Sequence, residues 1–374
     1  MRKNIKISAT IAAVGIFSAA SIYQIHSHKK YSLQNAMNFY GFRKPEQKEA
    51  LNNLLNLSGV SPLNKPYSIS NIFKSNQNQL AEDILNLVKI TQQRFTIRAG
   101  TQERWETQSQ EWMLKNNDEI LANLNTLGFI NEISPKIKNP DAVCILGATR
   151  KRMSARIAYA EELMSRQMKT GHMILLVGER YVTANVDATE SELSSIAAKF
   201  NISDWKKLTE THLARELYSV SSLSKNSIPV SVIDTPRGDL PRPTTQTTIM
   251  SLIQWLNDHP SIKNIVFISN QPNAHYQKAV IDAVLHENNV KIDFEVIGPT
   301  AGREYEVKSI LEGLGSYIWA ATPAVLSSLN LEITDNEIKN EFIKLYSGNP
   351  LVFQALPENL KEMSRESISH RKAG

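Results

Sequence analysis

A histidine and a lysine, His275 and Lys278, follow the apolar segment 264–269 and a turn that contains Pro272. This order predicts a buried strand that leads into a helix, with both ionisable side chains in the first turns of the helix. Open α/β sheets bind their ligands at the carboxyl ends of the strands, so the pair marks a candidate site. Because histidine titrates near neutral pH, we predict a catalytic role for His275 and Lys278 in proton transfer or charge stabilisation, although a lone histidine is more often structural.

Two further strand-to-helix turns contain glycine beside polar groups, a combination that suits an anion. In the first of them, Gly147 allows the backbone to approach a ligand. Thr149 and Arg152 stand at the start of the following helix, where free N–H groups favour negative charge. Gly178 and Glu179 occupy the next turn. We predict that these residues bind a ligand; the alternative for the basic turn is a solvated surface.

Carboxylate and hydroxyl groups complete the predicted site. Glu190 begins a helix after the second turn, where a carboxylate can orient a ligand hydroxyl, hold a cation or act as a base. Arg242 and Thr245 lie at the start of the helix after the third strand, and Ser269 ends the fourth strand. The alternatives are a helix-stabilising acid at Glu190 and a capping role for the threonine. We predict a catalytic role for Glu190 and ligand binding by the other three residues.

Several motifs that would identify a cofactor or a type of reaction are absent from the sequence. There is no G-x-G-x-x-G, no G-x-x-x-x-G-K-[ST], no H-E-x-x-H and no G-x-S-x-G. The lone cysteine, Cys144, lies in a predicted strand, which indicates a small core residue. The sequence therefore identifies neither a cofactor nor a metal site, and it leaves open whether the protein is an enzyme.

After residue 140 the sequence alternates short runs rich in Val and Ile with helical patterns. Strands that are apolar throughout and alternate with helices predict a parallel sheet covered on both faces. In residues 140–329 we expect a Rossmann-like three-layer sandwich of α/β class, with a mainly parallel sheet of about five strands. An extra helix is predicted at 204–218. The predicted strands are 142–146, 173–177, 230–234, 264–269 and 292–297.

Two helical regions flank this predicted domain. Residues 31–139 carry apolar residues at helical spacing and no strong strand candidate. This pattern predicts a helical module that packs on the sheet domain or acts as a spacer from the membrane. Residues 330–374 form a C-terminal tail with one helical pattern at 336–346. The sequence leaves the role of the helical module open.

The amino terminus, residues 1–30, is typical of a membrane anchor or a signal peptide. Arg2, Lys3 and Lys6 precede the segment 7–25, which contains no charged side chain. A helix of this length approaches the thickness of a hydrocarbon core, about 30 Å. The basic residues favour an amino terminus inside the cell, so the folded part would lie outside the cytoplasm. Small residues near the end of the segment are compatible with cleavage of a signal peptide, so secretion is the alternative.

The overall charge favours anionic partners other than nucleic acid. The chain of 374 residues has a net charge of +5 and a pI near 9.0. Its Lys and Arg residues are dispersed, whereas nucleic-acid binders gather them in dense runs. We therefore expect an anionic small molecule or a membrane surface as a partner and do not expect nucleic acid. The oligomeric state cannot be predicted from the sequence.

Short motifs in a fixed order give residues 141–320 a family resemblance. They are Ile145-Leu146-Gly147, a helix with Arg156 and Ala160, the segment 175–178, Glu190 at a helix start, a threonine-rich turn, and Ser269 followed by His275-Tyr276-Gln277-Lys278-Ala279. In this order they resemble the YdcF-like domain family, which includes SanA-like and ElyC-like envelope proteins. The chain departs from the family pattern at Lys278, where the family usually has Arg, and at the turn 245–248, which lacks the family's two asparagines.

The resemblance implies an envelope role and a nucleotide-like ligand. Together with the predicted anchor, it implies a single-pass protein of the bacterial inner membrane whose folded part is periplasmic. We expect a membrane-anchored protein that binds a phosphorylated or nucleotide-like small molecule, such as a nucleotide or a polyprenyl phosphate, with hydrolase or transferase activity left open. The alternatives are a non-catalytic envelope scaffold, a secreted interaction protein, and an enzyme that uses a methyl-group or nucleotide cofactor.

Overall fold

The computed structural model describes residues 33–59, 76–96, 106–302 and 305–347, together with Leu356 and Leu360. The described residues form twelve α-helices and a sheet of five strands. Helices that precede the sheet are α1 (Leu33–Phe39), α2 (Pro45–Leu57), α3 (Asn76–Arg94), α4 (Glu111–Lys115) and α5 (Asn117–Thr126).

All strands of the sheet are parallel. They are β1 (Ala142–Leu146), β2 (His172–Gly178), β3 (Val230–Thr235), β4 (Asn264–Ile268) and β5 (Asp293–Ile297). Their spatial order is β3-β2-β1-β4-β5, and Ile145 of β1 lies opposite Leu175 of β2 and Ile268 of β4. The predicted α/β class and the Rossmann-like parallel sheet are therefore confirmed.

Seven further helices follow or connect the strands. They are α6 (Arg150–Ser165), α7 (Glu190–Lys199), α8 (Glu210–Val220), α9 (Thr245–Asn257), α10 (Ala274–Glu287), α11 (Val307–Leu329) and α12 (Asn336–Tyr346). The predicted extra helix between the second and third strands corresponds to α8, which a short 3₁₀ turn at Trp205–Lys207 precedes.

Alternate residues of the central strands pack against opposite helical layers. Val143 and Ile145 of β1 belong to a core that includes side chains of α6, α7 and α8. Cys144 and Leu146 face the other way and pack with side chains of α9 and α10. Because both faces are covered, every residue of β1 is buried, which explains the continuous apolar run in the sequence. Burial also raises the pKa of the Cys144 thiol.

A third core lies among the helices outside the sheet. Ile84 of α3, Leu311 of α11 and Phe342 of α12 are fully buried in it. Ala320 of α11, however, packs in one of the sheet cores. Helix α11, which the predicted boundaries assign to the sheet domain, thus supplies core residues to the helical module as well; the boundaries themselves stay a prediction.

The predicted membrane anchor at residues 7–25 lies outside the described residues. Within the part of the chain that the structure describes, none of the helices combines the length and the apolar character that crossing a bilayer requires.

Candidate functional site

A cavity of about 1040 Å³ lies at the carboxyl edge of the sheet. Residues that follow β1, β2, β4 and β5 line it, together with the first turns of α6, α9 and α11. In the strand order, β1 and β4 are neighbours, and the chain winds outward from them in opposite directions. The edge between these strands is therefore the point at which open α/β sheets bind ligands.

Several residues predicted to bind a ligand come together at this cavity. Thr149 precedes α6 and makes no side-chain capping hydrogen bond, whereas Thr244 caps α9 beside the predicted Thr245. The turns involved are remote in sequence and meet because parallel strands end at one edge. The predicted residues that line the cavity are Gly147, Thr149, Arg152, Gly178, Arg242 and Thr245.

The predicted catalytic pair His275 and Lys278 is not part of the cavity lining. His275 Nε2 donates a hydrogen bond to the carbonyl of Gly128 at 3.0 Å, and the imidazole lies 4.8 Å from the ring of Phe129. Burial lowers the pKa of His275, which favours the neutral ring. Lys278 is exposed, and its ammonium group lies 5.5 Å from the ring centroid of Phe294. These contacts favour packing roles for both residues.

Glu190, Glu179 and Ser269 also lie outside the cavity lining. Glu190 is exposed in the first turn of α7. Glu179 accepts a hydrogen bond from the backbone N–H of Arg237 at 3.2 Å. Ser269 is fully buried and donates its hydroxyl to the side chain of Gln277. The structure thus separates the predicted residues into six at the cavity and five elsewhere.

Basic side chains outnumber acidic ones in the cavity wall. Lys308 forms an ion pair with Glu306 at 3.1 Å, and the guanidinium of Arg152 lies 5.1 Å from the ring centroid of Tyr305. The surplus of positive charge favours an anionic ligand. The charged residues of the wall are Lys151, Arg152, Arg156, Arg180, Arg242 and Lys308 on the basic side and Glu162, Glu210 and Glu306 on the acidic side.

A buried ionic network joins the turns after β1 and β2. Arg180 donates to both carboxylate oxygens of Asp187, at 2.9 and 3.0 Å, and its Nε donates to Glu210 at 3.1 Å. Arg180 also donates to the carbonyl of Ala148 at 3.2 Å. Asp187 accepts the backbone N–H of Arg150, the first residue of α6, at 3.0 Å. One arginine and two carboxylates therefore fix both turns.

The network changes the pKa of each of its members. Burial acts to lower the pKa of Arg180, but its hydrogen bonds and the charges of Asp187 and Glu210 outweigh burial and raise that pKa. Burial acts to raise the pKa of Asp187, yet the hydrogen bonds and charge of Arg180 outweigh it and lower that pKa. At Glu210 burial outweighs the attraction of Arg180, so the pKa is raised. Glu210 is consequently the more basic of the two carboxylates.

A second buried arginine, Arg156, ties the turn after β1 to the turn after β4. Its Nη1 donates to the carbonyls of Leu146 and Gly147 at 2.6 and 2.7 Å. Its Nε and Nη2 donate to Asn270 Oδ1 at 3.1 and 2.8 Å. Burial lowers the pKa of Arg156 to about 10, so the side chain is charged at neutral pH. The backbone between β1 and β4 is therefore held in place by charge-assisted hydrogen bonds.

The glycine at position 147 leaves room for the close approach of Glu210. A Cβ atom at this position would lie 1.8 Å from Glu210 Oε1 and 3.2 Å from the Cα of Val177. The first of these distances is far shorter than real Cβ contacts, which essentially never fall below 3.0 Å. The carboxylate therefore reaches the end of β1 because residue 147 has no side chain.

The sequence patterns do not single out several cavity residues, and three of them matter most for the site: Arg180, Tyr305 and Glu210. Arg180 directly follows the predicted pair in the turn after β2, and this position was the available signal. Tyr305 lies beyond the fifth strand, where turn residues of a parallel sheet are also expected to converge. Glu210 begins α8, and no pattern in the sequence indicates that its side chain extends to the turn after β1.

The described ranges contain no cluster of side chains suited to a metal centre. There, no group of three or more His, Cys, Asp or Glu side chains is arranged to hold a metal ion. The resemblance to the YdcF-like family stays a prediction. No protein-family model matches the chain, and no curated protein matches it.

Proposed function

We propose that the protein binds a phosphorylated or nucleotide-like small molecule in the cavity at the carboxyl edge of the sheet. The observation that carries this proposal is the surplus of basic side chains around a cavity of about 1040 Å³, at the point where the strand order reverses. Pockets for small ligands span roughly 300–1,000 Å³, so a ligand of nucleotide size fits. Arg152 and Arg242 provide charge-assisted hydrogen bonds to phosphate oxygens.

The start of α6 supports the same ligand chemistry. Thr149 lines the cavity and does not use its side chain as a cap, so its hydroxyl can donate to a phosphate oxygen. The carboxylate of Asp187 already accepts the backbone N–H of Arg150, which shows that this helix start accommodates an anionic group. A phosphate in the cavity would therefore depend on the side chains of Thr149, Arg152 and Arg242.

We also propose a location in the cell envelope. The apolar segment 7–25 and the resemblance to YdcF-like proteins support a single-pass protein of the bacterial inner membrane with a periplasmic folded part, and secretion is the alternative. Polyprenyl-phosphate-like ligands are candidates in that location beside nucleotides. Hydrolase or transferase chemistry would act on the bound ligand.

Thermal unfolding of the full-length protein in mild detergent tests ligand binding. A panel of nucleotides and short polyprenyl-phosphate analogues should contain a compound that raises Tm, because a ligand that binds only the folded state stabilises it. Replacing Arg152 or Arg242 with Ala removes a charge-assisted hydrogen bond, and we expect each change to weaken binding by about ten- to a hundredfold. Arg43→Ala is the matched control, since Arg43 is exposed and does not line the cavity.

The outcomes of this test discriminate between the proposed functions. An unchanged Tm across the whole panel would contradict the proposal and favour a non-catalytic scaffold or a secreted interaction protein. Equal affinities of wild type, Arg152→Ala and Arg242→Ala would place the ligand outside the cavity. S-adenosylmethionine is measured beside the panel, and a Tm shift with this compound alone would instead favour a methyl-group cofactor.

A further inference from the structure

Glu210 combines burial with access to the cavity. Its side chain is 10% exposed, and the residue is part of the cavity lining. Oε2 accepts a hydrogen bond from Arg180 Nε. Oε1 lies beside Gly147, in space that a Cβ atom at residue 147 would occupy. One oxygen of this carboxylate is therefore held by a cation, and the other reaches the end of β1.

Because Glu210 shares Arg180 with Asp187, the negative charge of the Glu210 carboxylate is only weakly compensated. Arg180 makes two hydrogen bonds of about 3 Å to Asp187 but one to Glu210. Asp187 also accepts backbone N–H groups from Thr183 and Arg150. A carboxylate with fewer hydrogen bonds in a buried place is the better proton acceptor, in agreement with the raised pKa of Glu210.

We propose that the cavity hydrolyses the phosphoanhydride bond of a diphosphate ester, with Glu210 as the general base, an inference that rests on the anion binding proposed above. Glu210 Oε1 takes a proton from a water molecule as the water oxygen forms a bond to the terminal phosphorus. The bridging P–O bond breaks, and its electron pair stays on the leaving phosphate. The proton on Glu210 then passes to solvent.

A phosphoanhydride is the expected substrate because its leaving group is a phosphate. A phosphate leaves as a stable anion and requires no proton donor, whereas the alkoxide of a simple phosphate ester must be protonated as it leaves. Arg152 and Arg242 line the cavity and stabilise the negative charge that develops on the two phosphates. Glu210 would thus provide the proton acceptor, and these cations the positive charge, that hydrolysis of a diphosphate uses.

Phosphate release by the full-length protein in detergent, with magnesium chloride in the buffer, tests the inference. ADP and geranyl diphosphate are the two substrates, and they distinguish a nucleotide from a lipid source of the same diphosphate; p-nitrophenyl phosphate represents simple esters. Binding of each compound is measured separately by isothermal titration calorimetry. We expect wild type to release phosphate from at least one diphosphate.

Glu210→Gln keeps the shape of the side chain but removes the base. We expect a loss of turnover by about a hundredfold to ten-thousandfold, with an affinity within about threefold of wild type because the change falls on proton transfer and not on the phosphate contacts. Glu216→Gln is the matched control: Glu216 lies on the same helix, its side chain is 8% exposed and it pairs with Arg150 and Lys199. This control should leave turnover unchanged.

The pH profile separates a base from a structural carboxylate. The turnover of wild type should fall on the acid side, with a midpoint above the ordinary pKa of glutamate. Glu210→Asp should move that midpoint. This second variant provides the test if Glu210→Gln fails to fold. Full turnover by folded Glu210→Gln, binding of diphosphates without phosphate release, or hydrolysis of p-nitrophenyl phosphate alone would overturn the inference and leave the proposed binding function intact. Failure of every diphosphate to bind would count against the binding function itself.

Discussion

The turns after β1 and β4 have equivalent places at the carboxyl edge of the sheet, but their ionisable side chains have different surroundings. The turn after β1 leads to Arg152 in the cavity wall and accommodates the carboxylate of Glu210. The turn after β4 leads to His275, which is bonded to the carbonyl of Gly128 and packed against Phe129. The loop after α5 therefore covers His275 in the turn after β4, here called the covered turn, although Asn270 and Asn273 of that turn still line the cavity. It leaves Arg152, after β1, in the cavity wall.

This difference shows that position at the sheet edge is not sufficient for a functional role. Gln271 donates to the carbonyls of Gly128 and Asn131 at 2.8 and 3.0 Å, so the same loop engages two side chains of the covered turn. These hydrogen bonds satisfy backbone carbonyls of the loop, which is a structural task. The turn after β1 has its carbonyls satisfied by Arg156 and Arg180, so its cavity-lining side chains do not have that structural task.

The largest expected effect is in the ionic network that joins the turns after β1 and β2. Arg180→Leu would leave Asp187 and Glu210 as buried carboxylates without their cation, and we expect the free energy of unfolding to fall by about 3–5 kcal/mol. Urea denaturation followed by circular dichroism measures this change. Arg166→Leu, which removes a partly exposed ion pair with Glu162, should cost less than about 1 kcal/mol. Equal effects of the two substitutions would contradict the structural role of the network.

A second prediction addresses the covered turn. His275→Ala removes a hydrogen bond and ring packing, and we expect a loss of about 2–3 kcal/mol in the free energy of unfolding. Ligand affinity and turnover should stay at the wild-type level, because the imidazole does not line the cavity. A stable His275→Ala protein with abolished turnover would show that the covered turn takes part in the chemistry after all.

A third prediction concerns pH and the same histidine. Because burial holds the pKa of His275 below the ordinary value of 6.5, the unfolded chain takes up the proton at a higher pH than the folded one. The free energy of unfolding should therefore fall as the pH drops below about 6.5, by at most about 1.4 kcal/mol per pH unit from this group.

Urea titrations of wild type and His275→Ala between about pH 5 and pH 8 isolate this contribution. His172 and His212 also have lowered pKa values for reasons of burial, so the difference between the two proteins is the relevant quantity. A slope that is as steep in the variant as in wild type would assign the pH dependence to those other histidines.

The smallest expected effect is at Lys278. This side chain is exposed and contacts the ring of Phe294, so Lys278→Ala should change the free energy of unfolding by less than about 1 kcal/mol. Ligand affinity should not change. A clear loss of affinity in calorimetry would indicate that the turn after β4 provides charge to the ligand, and the contrast between the two turns would no longer hold.

The sheet could be predicted because its central strands are apolar throughout. The predicted strand 173–177 differs from β2 (His172–Gly178) by one residue at each end, and 230–234 differs from β3 (Val230–Thr235) by one residue. The convergence of Gly147, Gly178 and Thr245 at one cavity could be predicted too, since it follows from parallel strand direction alone.

The rest of the site depends on contacts between remote segments. His275 is covered by Gly128, 147 positions earlier in the chain, and no local pattern encodes that contact. The side chain of Glu210 crosses from α8 to Gly147 and is held there by Arg180. Charged residues that begin helices are common for reasons of helix stability, so sequence alone does not separate Glu210 from the exposed Glu190.

Helix α11 is common to both parts of the molecule. Its first turn places Lys308 in the cavity wall, and Leu311 and Leu326 lie in the core of the amino-terminal helices. Over its 23 residues the helix extends about 34 Å. We therefore expect cavity occupancy and the integrity of the amino-terminal helices to be thermodynamically linked. A bound ligand would oppose detachment of those helices. In return, any partner that strengthens the packing of the helices would increase the affinity of the cavity for the ligand.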